Sequence, residues 1–416
     1  MAERCVVVGT GPSAEWVARA FAARGAPVTL VRPEGLCASS DALEPLVGTG
    51  LDEPLEVAGA EAVLGAWVDF EPGLPALALG GRVHGQPLSR RAMLGALSPE
   101  SWDDVTTAWA RARAHAGLTR LVGGGRETRT YADWVARRVG VPMMERVFAP
   151  YARKRLGEPG AVSASEARRI HGEGGAWRAR APATGGGAVE RVCARVRELG
   201  QSGVTTEEGV IEGRVFVDVP PARALAWMPA LREAIGAEVR HLECWDAFQV
   251  TLVGGDGLPF LTHVLDGDAS FYRLVRAGML PGRDAWAGTV TAQLVVPAEG
   301  GGTDADRVAR VVEGFRRLGV RVAPEDAVLQ RFVGWHPRAV GPHLARARRW
   351  VEAAAEAGVQ GVGRAGQHAS LAPIRVVAHA LDVLDGMDAL EARRRHVEPP
   401  APVAEEEDVG PVLVRR

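Results

Sequence analysis

The chain has 416 residues, with 49 Lys and Arg against 51 Asp and Glu and a formal net charge of −2. That length supports a substantial core and two intimately joined domains. The balanced, scattered charge gives no electrostatic case for nucleic acid or an anionic membrane as partner. Cys5, Cys37, Cys193 and Cys244 form no C-x-x-C pair. Cys5 and Cys193 lie in apolar patterns and are expected as buried, reduced thiols, and no metal site is expected. Lys154 is the single lysine; with the wealth of Ala, Gly and Val, this suits a GC-rich bacterial genome. The first residues run directly into a strand and no apolar run reaches transmembrane length, so a soluble, cytoplasmic protein is expected.

The opening stretch organises the rest. Cys5 to Val8 reads as a buried strand, broken at Gly9-Thr-Gly11. A helical pattern through Trp16, Val17, Ala20 and Phe21 ends at Gly25, and Val28 to Val31 is a second β-branched strand. A βαβ unit with a glycine turn before the helix is the arrangement in which a dinucleotide pyrophosphate sits on a helix N-terminus. Gly9 and Gly11 are therefore candidate cofactor contacts, with Ala14 in the third fingerprint position. The second strand ends on Arg32, where an acidic residue normally takes the ribose hydroxyls. Three readings stay open: a flavin site without its usual ribose anchor, a site for a 2′-phosphorylated nicotinamide nucleotide, or a pocket that no longer binds a nucleotide.

Residues 36–64 read as loop and short helix without a strong period. Trp67–Phe70 and Ala76–Leu79 are expected strands, and residues 80–88 a hairpin leading into a helix near 90–97. Trp102 to Ala116 is helical. Thr128 or Thr130 caps a further helix that Gly140 stops, and Pro142 opens another that runs through Lys154. Residues 172–183 read as loop, and Gly185-Gly-Gly187 opens an expected helix over 188–199. Val210-Ile211 and Val215–Val219 are short strands, followed by a helix over 222–228. Phe248–Val253, Phe260–Leu265, Phe271–Val275 and Val290–Val296 predict an antiparallel sheet. Helices are expected over 304–318, 343–357 and 373–384, with a short strand at 359–363. The Pro- and acid-rich tail is expected to be disordered.

The order of these pieces resembles a known superfamily of flavoproteins, the protoporphyrinogen oxidase-like and amine oxidase-like proteins together with those similar to UDP-galactopyranose mutase. Its motifs correspond here to Trp134, Arg138 and Gly140, then Pro150, Tyr151, Lys154 and Gly157, then Val162-Ser-Ala164. Gly185-Gly-Gly187, Val215 to Pro221, Phe271-Tyr-Arg273 and the closing turn Gly363-Arg-Ala-Gly366 follow in the same order. The resemblance implies an α/β fold. A Rossmann-like FAD/NAD(P)-binding domain is assembled from discontinuous segments (1–88, 184–228 and 340–390). A mixed β-sheet substrate domain (229–339) and a helical insert (89–183) join it, with a tail over 391–416. It implies FAD as cofactor and hydride transfer from a small organic substrate to flavin N5. Departures from the family are Arg32 in place of Glu, a single glycine in Gly35-Leu-Cys-Ala-Ser-Ser40, and Gln293 where oxidase-like members often carry Glu. These departures keep a second reading open, a non-catalytic relative acting as scaffold or partner subunit; NADP binding through Arg32 is a third.

Candidate cofactor-binding residues are Gly9, Gly11, Ala14, Arg32, Gly363, Arg364 and Gly366. Catalytic residues stay unassigned, with His368 and Arg273 as candidates: His368 directly follows the closing turn, and Arg273 suits an anionic substrate. Tyr272 and Arg273 alternate along a strand, so one faces a cavity and the other faces away. His336 lies in an aromatic and basic loop, where a structural role is the commoner outcome. No G-x-S-x-G, H-E-x-x-H or P-loop pattern supports a hydrolase or NTPase. A homo- or hetero-oligomeric state is left open.

Overall fold

The computed structural model describes residues 4–10, 12–34, 70–73, 76–85, 90–95, 97–122, 128–164, 166–167, 176–179, 188–276, 287–296, 302–338, 341–369 and 373–384. A five-stranded parallel sheet runs in the order Val359–Gly361, Arg214–Asp218, Cys5–Gly9, Val28–Pro33, Val189–Ala194. Parallel strands buried on both faces read as unbroken apolar runs, and Cys5-Val-Val-Val8 is such a run. Val7 faces Phe21, Phe216 and Val377 on one side, while Val6 and Val8 meet Val215, Val217 and Trp350 on the other. Helices Pro12–Ala23 and Pro373–Leu384 cover the first face; Pro229–Val239 and Gly341–Glu356 cover the second. The Phe21 and Phe216 rings pack at 4.5 Å, and truncating a buried phenylalanine to Ala costs about 3–5 kcal/mol.

The expected helix over 188–199 is replaced by two strands, Val189–Ala194 and Val196–Gly200. Val189, Val192, Val196 and Leu199 mimic helical spacing, but the open edge of the parallel sheet captures the segment through pairing with Val28–Pro33. Sheet pairing overrides local pattern in such cases. Cys193 consequently lies exposed on this edge strand instead of buried, whereas Cys5 is buried as expected. Val196–Gly200 continues into a three-stranded antiparallel sheet with Gly203–Thr206 and Val210–Glu212.

A second, seven-stranded mixed sheet has the order Val322–Pro337, Cys244–Gly254, Thr289–Val296, Arg273–Val275, Leu261–Val264, Ala76–Leu79, Arg82–Gly85. The hairpin of residues 76–85 is thus hydrogen-bonded into this sheet, and its pairing with Leu261–Val264 is the one parallel step. Phe248, Val250, Leu252, Leu274, Ala292 and Leu294 pack against Val311 and Phe315 of helix Asp304–Arg317. That helix starts at a Thr303–Asp306 capping box, and Gly319, at φ 68°, follows its end. The long strand Val322–Pro337 and the helix Pro229–Val239 carry no signal in the pattern reading, because Pro324, acidic residues and Gly334 interrupt the strand's alternation. Residues 176–179, expected as loop, pair antiparallel with Phe70–Gly73; of the strand expected at 67–70, residues 67–69 lie outside the described residues. The segments 36–64 and 391–416 lie outside the described residues.

The helical segment holds Trp102–Val122 and Tyr131–Val139, the latter opened by a Thr130–Asp133 capping box. A π-helical stretch, Met144–Phe148, leads into Ala149–Arg155. Pro150 supplies the cause, since it has no N–H to close the bond back to residue 146. Lys154 pins this segment to the mixed sheet by donating to the Val264, Asp266 and Phe271 carbonyls at 2.9, 2.6 and 3.2 Å.

Candidate functional site

The first strand, the helix after it, the strand Arg214–Asp218 and the closing turn Gly363–Gly366 meet at one seam, and Asp218 is its hub. The Asp218 carboxylate accepts the Ser13 hydroxyl and the backbone amides of Ala365 at 2.9 Å and Gly366 at 3.3 Å. Burial raises the Asp218 carboxyl to about 6, with the Ser13 hydroxyl and the two amides pulling the other way. The expected glycines sit where side chains have no room. A Cβ at Gly9 would stand 2.6 Å from the Ala14 Cβ and 2.9 Å from the Asp218 carbonyl oxygen. One at Gly363 would overlap the Asp218 carboxylate, and one at Gly366 the Val217 carbonyl oxygen. Trp350 Nε1 donates to the Gly366 carbonyl at 2.7 Å and fixes the turn from below. Gly9, Ala14, Gly363, Arg364 and Gly366 are therefore brought together; Gly11 lies outside the described residues. Asp218 was not singled out in the sequence, although an acid inside the apolar run Val215–Val219 is a detectable signal for a buried carboxylate.

Arg32 stands apart from this hub. It pairs with Glu15 at 3.6 Å, and the same carboxylate accepts Arg19 at 2.9 Å and Arg191. Glu15 is buried in the first turn of its helix. Burial lifts its carboxyl, but the hydrogen bonds from Arg191 and Arg19 outweigh this and hold it below the usual carboxylate range. Three guanidinium groups thus gather where the second strand ends.

The mixed sheet carries a row of polar side chains on the face opposite its helix-packed core. His263, Arg273, Gln293, Gln249 and Gln330 occupy directly paired positions on five successive strands. Each is at most 6% exposed. Arg273 Nε donates to Gln293 Oε1 at 2.6 Å. The Nε2 atoms of Gln293 and Gln249 are buried without a partner. At one end of the row Arg155 donates to the Tyr151 oxygen at 2.7 Å, and the Tyr151 hydroxyl lies 3.2 Å from His263 Nδ1. Arg273 is buried in the strand Arg273–Val275, with its guanidinium 5.8 Å from the Tyr272 ring centre. The alternation expected for Tyr272 fails: Tyr272 lies one residue ahead of the strand and packs in the same cluster as Leu77 and Tyr151, with the Arg155 guanidinium 5.2 Å from its ring centre. Tyr151, His263, Gln249 and Gln330 were not assigned to a site from the sequence. Their signal is the polar residue embedded between apolar neighbours, as in Phe248-Gln-Val250.

His368 links the two sheets. Its Nδ1 lies 3.5 Å from Cys244 Sγ and its ring 5.9 Å from that of His343. Its φ of 46° falls in the left-handed region and is the one positive value outside glycine among the described residues. Burial, with Asp246 and Asp218 nearby, drives the Cys244 thiol far above its ordinary value and so keeps it protonated. Burial likewise lowers the His343 imidazole. His336 ends the strand Val322–Pro337, buried, and is not in a loop. Among the described residues no group of three His, Cys, Asp or Glu comes together as a metal site, and no helix is long and apolar enough to cross a membrane.

Together these features define an α/β protein in which a parallel sheet of the dinucleotide-binding type joins a mixed sheet that carries a buried polar face. The chain has the fold of the proteins its motifs resemble. It is similar to a reduced UDP-galactopyranose mutase, with a TM-score of 0.68 and 11% identity over 96% of this chain and 97% of that one. It is also similar to an Exiguobacterium sp. 255-15 protein assigned as a protoporphyrinogen oxidase (TM-score 0.57, 14% identity, 92% of this chain and 99% of that one). A third is the CLA-producing fatty acid isomerase from P. acnes (TM-score 0.57, 12% identity, 92% and 98%). No family model and no curated protein matches the sequence.

Proposed function

We propose that the protein is a flavin-dependent oxidoreductase that binds FAD along the seam between its two sheets and oxidises a small organic substrate. The observation that carries this reading is the buried polar row. Two amide NH2 groups with no protein partner are costly in a core and become useful when a bound group supplies acceptors. The residues at hand fit a dinucleotide in this way. The start of helix Pro12–Ala23 follows the Gly9 turn, the Arg364 backbone N–H lies against the Ser13 hydroxyl of that helix, and Arg32 ends the neighbouring strand. The amides of Ala365 and Gly366 add nothing to phosphate binding, because Asp218 already holds them.

A bound flavin would accept the hydride; the protein supplies orientation and exclusion of water. Arg273 and the two glutamine amides hold the substrate's polar end. His263, in contact with the Tyr151 hydroxyl, is the imidazole placed to take up a proton released as the substrate is oxidised. The absorption spectrum tests the reading. A band near ~450 nm in purified protein, or its appearance in bound form on adding FAD, is the expected outcome. A protein that stays colourless after incubation with FAD refutes it and leaves the fold as a scaffold.

A further inference from the structure

We propose that Asp218 and Ser13 form a proton-controlled latch on the nucleotide seam: a dinucleotide diphosphate binds with Asp218 protonated and is held weakly once Asp218 ionises. The inference rests on the flavin reading above. The two carboxylate oxygens of Asp218 have different duties. Oδ1 accepts the Ala365 and Gly366 amides at 2.9 and 3.3 Å, so an added proton goes to Oδ2, the oxygen paired with the Ser13 hydroxyl. In the ionised state Oδ2 can only accept, and the Ser13 hydrogen is spent on it. In the protonated state Oδ2–H donates to Ser13 Oγ, which releases the Ser13 hydrogen for an acceptor outside the pair.

The helix terminus gives that hydrogen a use. Ser13 is the second residue of helix Pro12–Ala23 and is buried, and Pro12 before it has no N–H to offer. A helix N-terminus favours a bound anion, but an ionised Asp218 on the same turn already places a negative charge there. Protonation removes that charge and adds a donor, so proton and diphosphate each strengthen the binding of the other. Burial raises the Asp218 carboxyl to about 6, while Arg364, facing it from the closing turn, favours the ionised form. From the mixed sheet Cys244 lies close and keeps its proton, and Asp246 beside it is bound to Arg331. His368 and His343 complete that side of the cluster. The helix's own acid, Glu15, is held low by its arginines. The flanking strands Cys5–Gly9 and Val359–Gly361 carry no charged residue.

Calorimetric titration of wild type and Asp218→Asn tests this, with FAD and with ADP-ribose as ligands, between ~pH 5 and ~pH 8 in buffers of different ionisation enthalpy. ADP-ribose has the same doubly esterified diphosphate without a flavin. Wild type is expected to take up close to one proton per ligand above about pH 6, its affinity falling by up to about tenfold for each further pH unit. Asparagine keeps an oxygen for the two amides and donates from its nitrogen to Ser13, as the protonated acid does. Asp218→Asn is therefore expected to hold its affinity across the range and to take up no proton. Uptake that Asp218→Asn retains assigns the proton to a neighbouring imidazole and overturns the proposal, as does a pH-independent affinity in wild type. FAD bound without proton uptake fails the latch alone. ADP-ribose bound with Asp218-dependent uptake by a protein that never takes FAD fails the flavin reading alone, and binding of neither ligand ends both.

Discussion

Asp218→Asn probes the hub of the seam. In the folded protein the carboxyl is raised from 3.8 to about 6, so the native state holds a proton over a range in which the unfolded chain has released it. Stability is therefore full below the unfolded value, falls as pH rises from there through about 6, and levels off above. A shift of about two units at 1.36 kcal/mol each makes the charged carboxylate cost roughly 3 kcal/mol above the upper value. Asparagine keeps an oxygen for the Ala365 and Gly366 amides and is neutral at every pH. Urea unfolding at ~pH 8 should show the variant more stable than wild type, by up to about 3 kcal/mol. At ~pH 4 the difference should shrink towards zero or change sign, because the wild-type group is then protonated too. A stability difference that does not change with pH would refute the account of Asp218 as a buried titrating carboxyl.

Four further tests probe the packing around the site. Gly366→Ala must push the closing turn off the strand Arg214–Asp218 and should cost more than ~4 kcal/mol in urea unfolding. Gly85→Ala, which meets nothing within 4 Å, should stay within about 0.5 kcal/mol of wild type. Lys154, the single lysine, has its ammonium drawn down to about 7 by burial. Its amine should nevertheless resist acylation in the native protein and react only on unfolding, as peptide mass spectrometry can read; rapid native labelling would contradict the three-carbonyl clamp. Glu15→Gln removes the one carboxylate shared by Arg19, Arg32 and Arg191 and should destabilise by about 3 kcal/mol in denaturant titration at low salt. Because that carboxyl is held low, its contribution should be lost as pH falls through its depressed folded value, and an unchanged acid limb would count against the cluster.

The parallel half of the fold was legible because its signals are local. Cys5 to Val31 announces strand, glycine turn, helix and strand within a short stretch, and the two strands and the helix lie where the pattern places them. The segment 188–199 was misread because an edge strand with polar residues on its outer side has the same spacing as an amphipathic helix. Only pairing with Val28–Pro33 decides the matter, and pairing across that separation leaves no local mark. The strand Val322–Pro337 hid for a related reason: its length is set by its partner, Cys244–Gly254. In the candidate site, Gly9, Gly363 and Arg273 could be named from motif and alternation. Gln249 and His263 could not, because their meaning arises from standing in register with Arg273 and Gln293 across separate strands.

The glycines and the polar row carry unequal functional weight. Gly9, Gly363 and Gly366 are each required by a close backbone or carboxylate neighbour within the protein, so their presence follows from the packing of the seam whether or not a nucleotide binds there. In the polar row Arg273 is bonded to Gln293 and His263 lies against the Tyr151 hydroxyl, while the Nε2 atoms of Gln249 and Gln293 are left over. The neighbouring position on the same face shows what a satisfied pair looks like, Thr251 with Thr291, while Gln249 and Gln293 leave donors buried beside it. A fold selected for stability alone gains by replacing such donors with apolar side chains of similar volume. On the flavin-enzyme reading proposed above, a ligand's acceptors would complete the hydrogen bonds that these two amides leave open.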